Sequence, residues 1–246
     1  MSKFIKISSV EAKYVIRSKG FLFGLFLAFV YLIGIMSFWG DAKSFLDGVT
    51  FKVAYPFFSD ITYYIVITIA TTSLSKEFAF KTSRVVFTSG LSRYQVLLVK
   101  MSSLLMVSVF IAILHQIVVN IMALLAGDQR DTVSILTNLG TSILVYSLFA
   151  LFVGSVSFFL TSLLFSRLWT LIIVIFAFIM ERQIRAIIML VGGEKYTDFL
   201  NQTPMAIATE SFLYNSLSLS KSLILLISSA ILLLLTTYIL NKREIR

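Results

Sequence analysis

Residues 21 to 39, FLFGLFLAFVYLIGIMSFW, form an apolar run that contains no charged side chain. As an α-helix this run of 19 residues would be about 29 Å long, close to the ~30 Å hydrocarbon thickness of a bilayer. A cleavable signal peptide has about 7–15 apolar residues and a small-residue cleavage site, and this run has neither. It therefore predicts a retained transmembrane helix.

The composition of the whole chain also indicates a membrane environment. Of the 246 residues, 58% are hydrophobic and 13% are charged, and the mean hydropathy is +0.94. A soluble domain carries roughly 25% charged residues. Cysteine is absent, which excludes disulfides, thiolate nucleophiles and cysteine-ligated metals. The chain is predicted to be a membrane protein with several spans.

Six apolar runs are close to the length that a spanning helix needs. Helices are expected because backbone polar groups in lipid must be satisfied within the segment. The predicted spans are Phe21–Trp39, Phe57–Leu74, Met101–Ala126, Thr141–Phe165, Leu168–Val191 and Ser222–Leu240. The fourth and fifth are separated only by Ser166 and Arg167, which predicts a tight hairpin. The predicted fold is all-α, with six transmembrane helices in one domain over residues 1–246.

The distribution of charge predicts the orientation of these spans. The chain has a net charge of +9, and 14 of its 21 cationic residues fall on the side that would hold both termini. Only three of the 12 acidic residues fall on that side. This pattern predicts cytoplasmic termini in a multi-pass protein of a cell membrane, which we expect to be bacterial. The cations are split among short loops, which disfavours nucleic acid and favours contact with the lipid bilayer.

The first 20 residues have an amphipathic helical pattern. Four cations fall on one stripe, and apolar side chains such as Phe4 and Ala12 lie opposite; the cations are Lys3, Lys6, Lys13 and Arg17. Such a helix lies in the headgroup layer with its apolar side in the membrane. Ser8 and Glu11 have the spacing of a capping box. The segment could be a simple anchor, or an elbow helix that transmits motion into the first span.

The predicted cytoplasmic loop at residues 75–100 has a similar pattern. Five cations lie in its 26 residues, with Glu77, Lys81 and Arg84 on one helical face and Phe80 and Phe87 on another. Gly90 interrupts the pattern, and the S-x-x-Q run at residues 92–95 predicts a capped helix leading into the third span. A solvated loop whose cations only set topology is the alternative. Its aromatic side chains, however, require a cover of lipid or protein.

This loop resembles the loop between spans two and three of type-2 ABC exporter permeases. That family shows an acidic residue, then Gly-Thr, an apolar stretch, Ser-Arg and a Lys that opens span three. In the run that begins at Glu77, Thr82, the Ser92–Arg93 pair and Lys100 match in order and spacing. Lys81 replaces the family's Gly, and Gly90-Leu91 stand where many members have Pro. This form of the loop is similar to that of one branch of the family, which contains permeases for bacteriocin and lantibiotic immunity and for peptide export.

The resemblance implies an ATP-driven exporter of an amphipathic or antimicrobial peptide, or of a lipid-like substrate. It implies a coupling helix that contacts a separate cytoplasmic ATPase, in two copies, and pairing with a second permease, identical or related. The implied coupling residues are Glu77, Phe80, Lys81, Thr82, Arg84, Phe87, Gly90, Ser92 and Arg93. The chain contains no phosphate-binding G-x-x-x-x-G-K-[ST] motif, so ATP and Mg²⁺ are expected in the partner and no catalysis in this chain. Re-entrant helices are implied in the extracellular segment at residues 192–220.

Polar residues within predicted spans are candidates for a translocation path or a dimer interface. They are Glu181, Arg182, Arg185, Asn120 and His115. Intramembrane charges usually face a cavity or another protein surface. The alternatives are that the fifth span ends at Met180, and that His115 and its neighbours only form interhelical hydrogen bonds. A lone His without acidic or Cys companions is a poor metal site.

Two other classes of function are weighed against the exporter. A stand-alone secondary transporter or channel would show repeats, broken helices or a buried ion site. No internal repeat is found, and the aromatic-rich cytoplasmic loop would have no explanation. An intramembrane enzyme needs clustered carboxylates and histidines, and one histidine in the chain makes that class unfavourable.

Overall fold

A computed structural model describes residues 3–38, 51–79, 92–125, 131–191 and 199–242. Nearly all of these residues are helical, and no strand occurs among them, so the predicted all-α class is confirmed. The helices are α1 (Lys3–Ile16), α2 (Lys19–Phe38), α3 (Phe51–Ala79), α4 (Arg93–Leu125), α5 (Thr132–Leu164), α6 (Arg167–Val191), α7 (Pro204–Tyr214) and α8 (Leu219–Lys242).

The described residues contain four helices that are long and apolar enough to cross a membrane, or five with one broken pair. The four are α3 (from Tyr55), α4, α5 and α8, with mean hydropathies from 1.3 to 2.5. The pair is α1 and α2, which bend by 53° at the residues between them. The multi-pass architecture is supported, but the predicted number of six spans is not confirmed. Helix α6 has 25 residues, enough to span, but its charges at Glu181, Arg182 and Arg185 reduce its hydropathy.

Aromatic rings from four helices fill the centre of the bundle. Tyr63 of α3, Phe149 of α5, Phe178 of α6 and Phe212 of α7 are all 1% exposed or less. In five of the six pairs, the ring centroids lie 4.3 to 6.1 Å apart. Large aromatic side chains contribute much of the packing energy of a core, so this cluster joins the four helices.

Contacts between helix ends define the two ends of the bundle. The rings of Phe78 and Phe165, at the ends of α3 and α5, lie 4.9 Å apart. We call this the motif end, because α3 ends there at Ala79 and α4 begins there at Arg93. At the opposite, or far, end, Asp60 of α3 contacts Arg182 of α6.

The hairpin between α5 and α6 is as tight as the sequence predicts. Helix α5 ends at Leu164 and α6 begins at Arg167. Phe165 caps α5 in a left-handed conformation (φ 50°, ψ 25°), and its N–H donates to the Thr161 carbonyl at 2.9 Å. A left-handed residue reverses the chain while it satisfies an otherwise free carbonyl at the helix end.

The N-terminal segment is helical, but the capping box predicted within it is wrong. Helix α1 begins at Lys3, so Ser8 and Glu11 lie inside it. The Ser8 hydroxyl donates to the Phe4 carbonyl at 3.1 Å, an interaction typical of a helix interior. The capping box predicted at residues 92–95 is confirmed: Ser92 N–H donates to Gln95 Oε1 at 2.9 Å, and Gln95 N–H donates to Ser92 Oγ at 3.2 Å.

Candidate functional sites at the two ends of the bundle

A buried charge cluster ties three helices together at the motif end. The ammonium group of Lys100 (α4) donates to the Glu11 carboxylate (α1) and to the Glu77 carboxylate (α3), the latter at 2.6 Å. Lys76 Nζ lies 3.5 Å from the same Glu11 oxygen. These four residues are called the Lys100 cluster.

The Lys100 cluster is shielded from solvent although all its members are charged. The side chain of Lys100 is 7% exposed, Glu77 is 12% exposed and Glu11 is 14% exposed. Removing charges from water is costly unless each is paired and hydrogen-bonded. The two carboxylates around one ammonium group satisfy this requirement, and Lys76 adds a second cation beside Glu11.

The position of the cluster along the chain matters for the segment between α3 and α4. Glu77 lies two residues before the end of α3, and Lys100 is near the start of α4. Their contact therefore fixes both helices that flank residues 80–91. Glu11 extends the same contact to α1, the helix that precedes the first apolar run.

The structure describes three of the nine implied coupling residues. Glu77 bonds Lys100, Ser92 caps α4, and Arg93 is the first residue of that helix. The other six lie outside the described residues: Phe80, Lys81, Thr82, Arg84, Phe87 and Gly90. Their predicted contact with an ATPase stays a prediction.

Helix α1 packs more closely on the protein than a purely interfacial helix would. Ala12 is 4% exposed and Ser8 is fully buried, and Val15 packs against the core. Lys6, Lys13 and Arg17 are exposed, as the predicted cationic stripe requires, and Lys3 begins the helix. Part of the apolar stripe, at Ala12 and Val15, thus packs on the protein, where α1 contacts α4, while Ile5 and the cations are exposed.

A second charge cluster joins helices at the far end. Arg185 Nε lies 3.2 Å from Glu181 Oε1, the pairing expected from their spacing, and the same guanidinium donates to the Glu210 carboxylate of α7. Lys221 Nζ at the start of α8 lies 3.6 Å from Glu210. These four residues, called the Arg185 cluster, connect α6, α7 and α8. Arg182 forms a separate, more exposed pair with Asp60 at 3.1 Å.

His115 lies inside the core of one chain rather than on its surface. It is fully buried on α4, and its Nδ1 lies 2.5 Å from the Tyr146 hydroxyl of α5. That hydroxyl is 2.7 Å from the Thr62 hydroxyl of α3. The predicted interhelical hydrogen bonding is therefore present at His115. Asn120 instead donates to the Gln116 carbonyl of its own helix at 2.8 Å.

The polar core continues toward the far end. The Gln116 amide donates to the Ser142 hydroxyl, and Ser142 donates to Asn215 Oδ1 at 3.1 Å. His115 Nε2 is a buried polar atom that has no hydrogen-bond partner in the described part of the chain. Among those same residues, no three His, Cys, Asp or Glu side chains are placed to hold a metal ion.

Sequence reasoning missed several members of these clusters. The sequence pattern places Glu11 in a helix cap and Lys100 only at a motif position, and it gives Glu210 no role. Glu11 and Lys100 are 89 residues apart, so no local spacing indicates their contact. For the Arg185 cluster, the four-residue spacing of Glu181 and Arg185 was a usable signal, but it reveals nothing about Glu210.

No protein-family model matches the chain, and a search of curated proteins finds no similar sequence.

Proposed function

We propose that the chain is the membrane-spanning permease subunit of an ATP-driven ABC exporter. The substrate would be an amphipathic or antimicrobial peptide, or a lipid-like molecule. The subunit would pair with a second permease, identical or related, above two copies of a cytoplasmic ATPase that binds ATP and Mg²⁺. This chain would carry no catalytic residue, since it lacks a phosphate-binding loop.

The observation that best supports the proposal is the position of the Lys100 cluster. It braces both helices that flank residues 80–91, the segment that carries six of the nine implied coupling residues. Removing one partner of a buried ion pair costs about 3–5 kcal/mol because the other charge is left unpaired, so helices joined by such a pair resist separation. If a partner displaced residues 80–91, the ends of α3 and α4 would therefore move together, and α1 would move with them.

The proposal is tested first by purification of the tagged chain from its native membrane in mild detergent. Co-purifying proteins would be identified and quantified by mass spectrometry. We expect a phosphate-loop ATPase in a near-stoichiometric amount. Recovery of the chain without an ATPase, even after cross-linking, would contradict the proposal.

Variants make the same experiment specific to the loop. Phe87→Asp and Arg84→Glu change the two predicted docking faces and should each lower ATPase recovery about tenfold, the effect of ~1.4 kcal/mol of lost binding. Lys242→Glu is the control, because it reverses an exposed cation at the end of α8, outside the loop. Equal recovery from all three variants would refute docking by residues 80–91.

A stand-alone secondary transporter or channel is the second candidate. The buried polar chain of His115, Tyr146 and Thr62 favours it, because polar groups inside a membrane often mark ion or substrate pathways. The discriminating measurement is ion-driven flux into vesicles that contain the purified chain alone. Flux that His115→Phe abolishes, in the absence of any ATPase, would establish this alternative over the exporter.

A further inference from the structure

A groove with a cavity volume of about 500 Å³ runs between α2 and α3, beside the C-terminal half of α1. The α3 residues that line the groove recur every three or four positions from Ile61 to Lys76, so they lie on one face of the helix. At 1.5 Å per residue the groove follows α3 for about 23 Å. One leaflet of the hydrocarbon core is about 15 Å thick. The groove is thus long enough to extend from a headgroup layer past the middle of a membrane.

The lining of the groove changes along its length. At the motif end it holds polar and cationic side chains, which are Tyr14, Ser18, Lys76 and Arg167. Farther along it holds no charged side chain: apolar side chains such as Leu27, Ile61 and Ile65 share the wall with the hydroxyl groups of Tyr64, Thr68 and Thr72. A cationic mouth above an apolar channel complements a molecule with an anionic head and a hydrocarbon tail.

Glycine opens the wall of the groove on α2. A Cβ at Gly20 would meet no atom within 4 Å, and one at Gly24 would lie 3.5 Å from Ile65 Cγ1 of α3, an ordinary contact distance. A larger side chain at Gly24 would therefore project into the channel. This position provides a way to fill the groove without changing its charge.

The mouth of the groove carries excess positive charge. Lys76 is near Glu11, but Glu11 also accepts a hydrogen bond from Lys100. No acidic side chain in the described ranges lies within ion-pair distance of Arg167. Counting the Lys100 cluster with Arg167, three cations face two carboxylates. Basic pockets of this kind at the membrane surface bind anionic lipid headgroups.

We propose that this groove binds one anionic phospholipid, with its phosphate between Lys76 and Arg167 and an acyl chain along α2 and α3. A zwitterionic lipid offers the same phosphate but adds a cation that the mouth would repel. The lipid is a structural or regulatory ligand, and its binding requires neither the ATPase nor transport.

The test is native mass spectrometry of the full chain after incubation with phosphatidylglycerol or phosphatidylcholine of identical acyl chains. We expect one tightly retained phosphatidylglycerol per chain, at least about fivefold in preference to phosphatidylcholine, because the headgroups differ by one elementary charge at the cationic mouth. Arg167→Gln should lower the retention of phosphatidylglycerol about fivefold, whereas Lys242→Gln, an exposed cation outside the groove, should not change it. Equal retention of the two lipids, or equal effects of the two variants, would overturn the proposal.

A second pair of variants tests the apolar part of the groove. Gly24→Leu should displace the lipid, whereas Gly34→Leu, the same change on the same helix at an open position, should leave it bound. Helicity and elution volume would confirm that both variants are folded. If Gly24→Leu instead reduced dimerisation and left lipid retention unchanged, the groove would be an interface between copies and the proposal would be wrong. Displacement of the lipid by inorganic phosphate alone would equally contradict an acyl-chain site.

Discussion

At the scale of single residues, the most informative side chain is Lys100. Its place in the motif could be predicted from sequence, because it opens the third predicted span after the Ser-Arg pair. Its partners could not, since Glu11 is 89 residues away and Glu77 is 23 residues away. The motif identifies a position, whereas the fold shows that this position holds three helices together by charge.

Replacing Lys100 by Met should destabilise the protein by about 3 kcal/mol, because two buried carboxylates would lose their shared cation. The measurement is the free energy of unfolding of the purified chain in detergent micelles. Lys242→Met is the control, since Lys242 is exposed. A stability loss no larger than that of Lys242→Met would show that the cluster contributes little.

A triple variant tests whether the loss of stability in Lys100→Met is caused by charge. The triple variant Glu11→Gln, Glu77→Gln, Lys100→Met removes every charge of the central triad while it nearly preserves side-chain volume. The triple variant leaves no unpaired buried carboxylate, whereas Lys100→Met leaves two, and an unpaired buried charge is the costly element of a broken ion network. We therefore expect the triple variant to be more stable than Lys100→Met alone. If it is less stable than Lys100→Met, packing or hydrogen-bond geometry, not charge, determines the loss.

At the scale of helices, the amphipathic pattern of residues 3–17 predicted α1 correctly as a helix but not its packing. Periodicity shows which residues share a face, and it cannot show whether lipid or protein covers that face. Here Ala12 and Ser8 are buried in protein. The bend of 53° between α1 and α2 likewise depends on tertiary contacts that a local pattern does not contain.

Close packing of α4 against α5 depends on Gly154. A Cβ at this position would lie 2.7 Å from Leu104 Cδ2 and 3.1 Å from Met101 Cε, and Leu104 is itself buried. Gly154→Val should therefore cost about 2–3 kcal/mol through overpacking. Gly140→Val is the matched control on the same helix, because a Cβ there meets nothing within 4 Å. Equal thermal stability of the two variants would contradict the predicted close approach of the helices.

At the scale of the whole molecule, composition and charge pattern predict the class of membrane protein more securely than they predict the number of spans. The all-α class needed only apolar runs of sufficient length. The count of six depended on α6, whose helix includes Glu181, Arg182 and Arg185. The sequence could predict the pair of Glu181 and Arg185, but the third partner, Glu210, belongs to another helix. Because Glu181, Arg182 and Arg185 are paired within the protein, hydropathy alone does not decide whether α6 crosses the membrane.

The absence of cysteine permits a direct test of topology, because any introduced cysteine is unique. Tyr94→Cys lies at the motif end, and Thr132→Cys and Leu190→Cys lie at the far ends of α5 and α6; all three positions are exposed. The positive-inside pattern predicts that a membrane-impermeant maleimide labels Thr132→Cys in intact cells and Tyr94→Cys only after permeabilisation. The unmodified chain, which cannot react, is the control.

Leu190→Cys decides whether α6 crosses the membrane. A helix of 25 residues is about 38 Å long, enough to span the ~30 Å core with its charged half packed against α3 and α7. We therefore expect Leu190→Cys to label in intact cells, as Thr132→Cys does. Labelling of Leu190→Cys only after permeabilisation would show that α6 stays on the cytoplasmic side and that the chain has four or five spans. Labelling of Tyr94→Cys in intact cells would show that the topology is the reverse of the predicted one. Residues 80–91 could then not contact a cytoplasmic ATPase.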